Sequence, residues 1–119
     1  MAKALIVDDS RTSRKILRTI LETNGYTIAG EATNGQEGID PYKELKPDFV
    51  TLDITMPVKD GIAALTEIKE FQKDAKVIMV TAAGQKAKMV EAIKMGADEF
   101  ISKPFDTDVL LDTLKRVVG

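Results

Sequence analysis

The 119-residue chain contains no cysteine, no histidine and no tryptophan. Without cysteine there are no disulfides, thiolate nucleophiles or Cys-based zinc sites. Without histidine the chain lacks the usual general base and the commonest zinc ligand. Any chemistry must run on carboxylates, hydroxyls and lysines, with a hard, oxygen-preferring metal as the natural helper. Long apolar runs are missing too; nothing approaches the roughly 20 residues of a membrane span, and the start turns acidic too soon for a signal peptide. Basic excess is also absent: 17 Lys and Arg against 19 Asp and Glu leave a net charge of −2, which argues against a nucleic-acid partner held on a broad basic face. A protein acting in the cytoplasm, off the membrane and off nucleic acid, is the expectation. Hydrophobic residues make up 44% of the chain, enough for one packed domain rather than disorder.

Short apolar runs alternate with amphipathic segments. Ala4 to Val7 reads as a buried strand ending at Asp8-Asp9. Ser10 is placed to cap a helix running to about Asn24, with Ile16, Leu17, Ile20 and Leu21 on one face and Gly25 as its left-handed stop. Tyr26 to Ala32 reads as a second strand. Gln36 to Leu45 should be helical, but Gly38 and Pro41 oppose it, so a kink or a restart with Pro41 in a first turn is expected. Phe49 to Leu52 is a third strand ending at Asp53. Met56 to Gly61 reads as an extended loop, followed by a helix to about Gln72 with Ile62, Leu65 and Ile68 inward. Val77 to Val80 is a fourth strand ending at Thr81. Gln85 to Met95 is helical with Gly96 as its stop; its Lys86, Lys88 and Lys94 should be solvated, and Met89 and Met95 should pack. Phe100 and Ile101 form a fifth strand ending at Lys103-Pro104. Thr107 or Asp106 caps a last helix carrying Val109, Leu110, Leu114 and Val117. Five βα units imply a parallel sheet covered on both faces through right-handed crossovers, and a single domain over residues 1–119 without an attached output domain.

Ligands of an open α/β sheet sit beyond the carboxyl ends of its strands. Asp8 and Asp9 follow the first strand, Asp53 the third, Thr81 the fourth and Lys103 the fifth. Any one of them alone would most often be a cap, a turn residue or a solvated lysine. Together they predict one pocket. At 4 Å and an effective dielectric near 20, each pair of like charges costs about 4 kcal/mol, so three carboxylates must take up protons or a cation. Mg²⁺ suits an all-oxygen set, and Mn²⁺ would also fit. A cation, a hydroxyl and an ammonium match the three equatorial oxygens of a phosphoryl group in transfer, and Asp53 on the central strand is the natural carboxylate acceptor.

Asp8-Asp9, Asp53 with Met56-Pro57 and Gly61, Thr81-Ala82, and Lys103-Pro104-Phe105 resemble, in order and spacing over the whole chain, the receiver domains of two-component response regulators, most of all single-domain chemotaxis receivers. The resemblance implies a (βα)5 flavodoxin-like fold with strand order 2-1-3-4-5. It implies a phosphoacceptor role for Asp53, charged by a histidine kinase, and Mg²⁺ held by Asp8, Asp9, Asp53 and the backbone carbonyl of Thr55. Thr81 would hydrogen-bond the phosphoryl group and Lys103 would pair with it. The bond before Pro104 would be cis, and Phe100 would be the aromatic that turns inward as Thr81 moves. Output would pass through the surface of the fourth helix, fifth strand and last helix to a downstream protein such as a flagellar motor switch or phosphorelay component, from a monomer whose only catalysis is its own phosphorylation and dephosphorylation. Thr55 and Ala83 flank the phosphoryl position and vary in the family, which leaves the rate of phosphate loss open.

Rival readings remain. A phosphorelay intermediate uses the same site. A haloacid-dehalogenase-type phosphatase would need a second Asp where Thr55 stands, and it would turn over small phosphate esters. A flavodoxin-like FMN protein would need a Ser, Thr and Gly phosphate loop in place of Asp8-Asp9. A receiver-like docking module would not need the complete acidic set.

Overall fold

The computed structural model describes residues 2–54, 56, 58–82 and 84–118. Its strands are β1 (Lys3–Val7), β2 (Thr27–Ala32), β3 (Phe49–Asp53), β4 (Val77–Thr81) and β5 (Glu99–Ser102). They form one parallel sheet in the order β2-β1-β3-β4-β5. Between and after them come α1 (Arg11–Thr23), α2 (Gly35–Leu45), α3 (Gly61–Phe71), α4 (Lys86–Lys94) and α5 (Thr107–Val118). The doubly wound arrangement is the expected one. Among the described residues no helix is long and apolar enough to cross a membrane.

Side-chain alternation along the inner strands builds two cores, one on each face of the sheet. Ala4 and Ile6 of β1, Phe49 of β3 and Ile78 of β4 face Leu17 and Leu21 of α1 and Leu110 and Leu114 of α5. Leu5, Val7, Val50, Leu52, Val77 and Met79 face the other way, toward Tyr42 of α2, Ile62, Leu65 and Ile68 of α3 and Ala92 of α4. Both faces of β3 and β4 are therefore buried, which is why their sequences are apolar up to their last residue, Thr51 of β3 excepted.

Helix ends follow local chemistry. Ser13 N–H donates to the Ser10 side chain, Glu37 N–H to Asn34 and Ala63 N–H to Asp60, so α1, α2 and α3 each have an oxygen cap. Asp106 caps α5 by accepting from the backbone N–H of Val109. Gly25 and Gly96 take positive φ, 91° and 101°, as left-handed helix stops.

Several helix expectations need correction. α2 does not restart at Pro41; one helix runs through it, with Pro41 inside. Ile39 and Tyr42 are buried, and the Tyr42 hydroxyl donates to Gln72, so tertiary packing offsets the missing N–H. Gly38 is a contact residue rather than a breaker. A Cβ there would lie 2.9 Å from Val7 Cγ2, so glycine lets α2 sit close on β1. Met95, expected to pack, is 42% exposed; Ile16 and Val109, at 47% and 54%, also lie outside the buried stripes of their helices. Met89 does pack against the core, and Lys86, Lys88 and Lys94 are exposed as expected. Strand β5 extends one residue beyond the expected pair at each end, and Tyr26 precedes β2.

Thr51 in the middle of β3 is buried, and its hydroxyl has no hydrogen-bond partner among the described residues. Burying an unpaired hydroxyl costs roughly 1–3 kcal/mol. The isosteric Thr51→Val change is expected to stabilise the fold by about 1 kcal/mol, read as a higher midpoint in urea unfolding at unchanged slope. A lower midpoint would mean that the hydroxyl is satisfied in solution.

Candidate functional site

Parallel strands deliver their carboxyl ends to one edge. β1 ends beside Asp8 and Asp9, β3 ends in Asp53, β4 in Thr81, and Lys103 follows β5. Carboxylate oxygens of Asp8, Asp9 and Asp53 all lie within 4.8 Å of one another, the three-acid group expected from the sequence. Asp8 and Asp53 are buried, 2% and 6% exposed, whereas Asp9 is open to solvent. The Lys103 ammonium lies 3.0 Å from Asp8 Oδ2 and 3.4 Å from Asp53 Oδ2, bridging the two buried acids.

The acidic loop is held at several points. Asp8 N–H donates to the Ala32 carbonyl at 3.0 Å. Asp8 Oδ1 accepts from the backbone N–H of Ser10 at 2.8 Å. The Asp8 carbonyl accepts from an Arg14 guanidinium nitrogen at 2.7 Å. Arg14 was not among the residues the sequence singled out. A signal for it existed: α1 has no acidic residue in its first turn and carries Arg11 and Arg14 there, the reverse of what the helix dipole favours.

On the far side, the loop after β3 doubles back on Asp53. Gly61 N–H donates to the Ile54 carbonyl at 2.8 Å, and a Cβ on Gly61 would collide with the Asp53 carbonyl oxygen. Gly35 at the start of α2 is pressed in the same way against the carbonyl of Lys59, to which its N–H donates. Two glycines thus let two helix starts clamp the loop beside Asp53. Within that loop Val58 holds a positive φ of 66° and is 85% exposed. Thr55, expected to lend a backbone carbonyl, lies outside the described residues, as do Pro57 and Ala83.

Thr81 is buried, and its hydroxyl donates to the Ile101 carbonyl at 3.5 Å, a distance at which the bond is weak. Thr81 and Lys103 line a groove of 440 Å³ with Gly84, Gln85, Met89 and Ser102. Phe100 is half-buried and, like Met89 and Ala97, packs against the core under α2–α4. The Lys103-Pro104 peptide is cis.

The electrostatics follow from burial. Desolvation, and then the charge of Asp8, push the Asp53 carboxyl up to about 6, with Lys103 holding it back in part. Burial pulls the Lys103 ammonium down, but its hydrogen bond to Asp8 and the charges of Asp53 and Asp8 outweigh that and raise it overall. Two acids sharing one ammonium beside a third acid leave excess negative charge. The all-oxygen donor set therefore fits a hard divalent cation.

The pH dependence has a definite sign. The folded-state value for Asp53 stands above the unfolded value of about 3.9, so the folded chain binds more protons between them. Its contribution to stability is full below about pH 4 and is lost as pH rises through about 6. In the absence of divalent metal, the stability of the wild type relative to Asp53→Asn is expected to fall between about pH 4 and pH 7. Urea midpoints for both proteins across that range check this; a constant difference would contradict it.

Comparison with known proteins gives a consistent picture. Residues 4–115 match the model of the response regulator receiver domain. The chain is 50% identical to chemotaxis protein CheY of Thermotoga maritima, covering 97% of this chain and 96% of that one. It is 50% identical to protein CcdB of Bacillus subtilis, covering 100% and 99%. Among solved structures, a CheX–CheY–BeF3–Mg complex from Borrelia burgdorferi superposes with a TM-score of 0.93 at 40% identity, over 99% of this chain and 90% of that one.

Proposed function

The chain belongs to the response regulator receiver domain family, and on that premise we propose that it is a two-component signalling receiver that takes a phosphoryl group onto Asp53 from a histidine kinase. The observation that carries the proposal is the cluster of Asp8, Asp9 and Asp53 oxygens within 4.8 Å, bridged by Lys103. Chemotaxis is the favoured pathway because chemotaxis CheY proteins are relatives over nearly the whole chain. A phosphorelay intermediate would use the same site. A haloacid-dehalogenase-type phosphatase is disfavoured by the threonine at position 55, where that mechanism needs an acid.

Asp8, Asp9 and Asp53 would hold Mg²⁺, or Mn²⁺, and the family's pattern adds the carbonyl of Thr55. Bound there, the cation would neutralise charge on the phosphoryl oxygens and on the acids around them. An Asp53 carboxylate oxygen attacks phosphorus as the donor's N–P bond breaks, and the electron pair leaves with the imidazole nitrogen. Lys103 already lies against Asp53 and follows the charge to the new phosphoryl oxygens. Thr81, weakly held at Ile101, turns its hydroxyl toward the phosphoryl group, and Phe100 moves into the space released. Phosphorylation adds about −1.5 to −2 charges, enough to bias such a two-position element.

The changed surface is that of α4, β5 and α5, where Val90, Ile93 and Val109 are exposed and available to a downstream protein. Residues 1–119 are read as one monomeric receiver domain working in the cytoplasm, with no reaction beyond its own phosphorylation and dephosphorylation. Incubation with acetyl phosphate tests the proposal. Intact mass should rise by one phosphoryl group with Mg²⁺ and not with EDTA. Absence of both an adduct and Mg²⁺-dependent consumption of acetyl phosphate, or an adduct that ignores EDTA, would refute it.

A further inference from the structure

The peptide group that joins Asp8 to Asp9 has a partner the receiver reading does not use. The Asp8 carbonyl accepts from an Arg14 guanidinium nitrogen at 2.7 Å. The Arg14 Nε donates to Glu31 Oε1 at 3.1 Å, and Arg18 donates to the other oxygen of Glu31 at 2.6 Å. Arg14 is 14% exposed and held at both ends, so its guanidinium is a fixed plane rather than a solvated charge. We propose that Arg14 is a positioning residue for the cation site: it sets the tilt of the Asp8–Asp9 peptide, and thereby aims Asp9.

The need for such a residue follows from how unevenly the two acids are held. Asp8 is fixed by Ser10 N–H on one oxygen and by Lys103 on the other. Asp9 is exposed, and among the described residues its side chain has no hydrogen bond or ion pair. Its orientation depends on its backbone, and the plane entering that backbone is the one Arg14 grips. Partners of this kind around metal ligands typically contribute 10–100-fold in affinity.

Electrostatics and positioning predict opposite signs, which makes the idea testable. Arg14 is a cation close to a site for a cation. If charge alone mattered, removing it would tighten Mg²⁺ binding. If positioning dominates, removal weakens it. Lysine in its place keeps the charge but cannot reach the Asp8 carbonyl and Glu31 with one planar fork.

The experiment is calorimetric titration with MgCl₂ of wild type, Arg14→Ala, Arg14→Lys and Arg18→Ala, with unfolding midpoints and Asp9 amide resonances recorded without metal. The proposal rests on the receiver reading, and a wild type that binds no Mg²⁺ would defeat that reading rather than this one. With wild-type binding present, Arg14→Ala should weaken Kd about 10-fold and Arg14→Lys about 3-fold, each with a shifted Asp9 amide. Arg18→Ala, which removes an equal charge from the same network, should leave Kd unchanged or lower. Wild-type Kd in Arg14→Lys, or equal weakening in Arg18→Ala, overturns the assignment even if melting temperatures fall. Should Arg14→Ala fail to fold, the lysine variant decides alone.

Discussion

Asp53→Asn is expected to accept no phosphoryl group and yet to be more stable than the wild type when divalent metal is absent. The two effects have one origin. Asp53 is 6% exposed, and burial together with Asp8 pushes its carboxyl up to about 6. At neutral pH the folded chain therefore keeps it ionised against a cost. Asparagine keeps the shape and can still accept from Lys103, which retains Asp8 at 3.0 Å. Removing the charge should stabilise the metal-free protein by on the order of 2 kcal/mol at pH 7.5. That corresponds to roughly 5–8 °C in melting temperature for a domain of this size. The amide oxygen is a poor nucleophile, so phosphorylation should fall below detection. Added Mg²⁺ should then reverse the order by stabilising only the wild type appreciably, since binding to the folded form adds RT ln(1 + [L]/Kd). Equal melting temperatures for the two proteins without metal would mean that the acidic cluster stores no repulsion.

Gly61→Ala is expected to give the largest loss of stability among single-methyl additions. Alanine is the better helix former by about 1 kcal/mol, so propensity alone would favour the change. Packing opposes it. A methyl group at position 61 would run into the backbone oxygen of Asp53 and lie 2.9 Å from Ile54 Cα. Neither can yield easily. Asp53 is paired in register with Val80 of β4, and Ile54 N–H is tied to the Val80 carbonyl. Relief requires α3 to lift its first turn off the sheet. Overpacking costs about 1–3 kcal/mol, and more where the obstructing atoms are backbone that cannot shift, which outweighs the propensity gain. Because the obstructing atom belongs to Asp53, the phosphorylation rate should fall together with stability. A melting temperature within 1 °C of wild type would show that the loop after β3 is softer than the packing indicates. Gly38→Ala meets only a valine side chain and should be milder.

These two cases mark how far the sequence could be read. Strand ends were legible because β3 and β4 are buried on both faces, so the polar residue that closes each run, Asp53 or Thr81, stands out at the edge of the sheet. That placed Asp8, Asp53 and Thr81 correctly, and Lys103 followed from the fifth run. Helices were less legible. Pro41 argued against a continuous α2, because propensity does not register a buried Tyr42 and Ile39 holding the helix down. Gly38 looked like a breaker because close approach to Val7 is a property of the packed pair. Met95, expected to pack, is exposed because apolar character does not say how much of a helix face its neighbour covers. Arg14 escaped because its bond goes to a backbone carbonyl, so the reversed charge of the first turn of α1 was its one trace in the residue pattern. The roles of Thr81 and Phe100 belong to a change of state, and the carbonyl of Thr55 lies outside the described residues.

The central claim is that Asp53, beside Asp8 and Asp9, forms the acyl phosphate. Sodium borohydride reduces an acyl phosphate to the alcohol, turning a phosphorylated aspartate into homoserine while free carboxylates are untouched. After incubation with acetyl phosphate and Mg²⁺, borohydride treatment and peptide mass analysis should find homoserine at position 53 and at no other aspartate, with none when Mg²⁺ is withheld. Homoserine at Asp8, Asp9 or another position, with residue 53 still aspartate, would contradict the account.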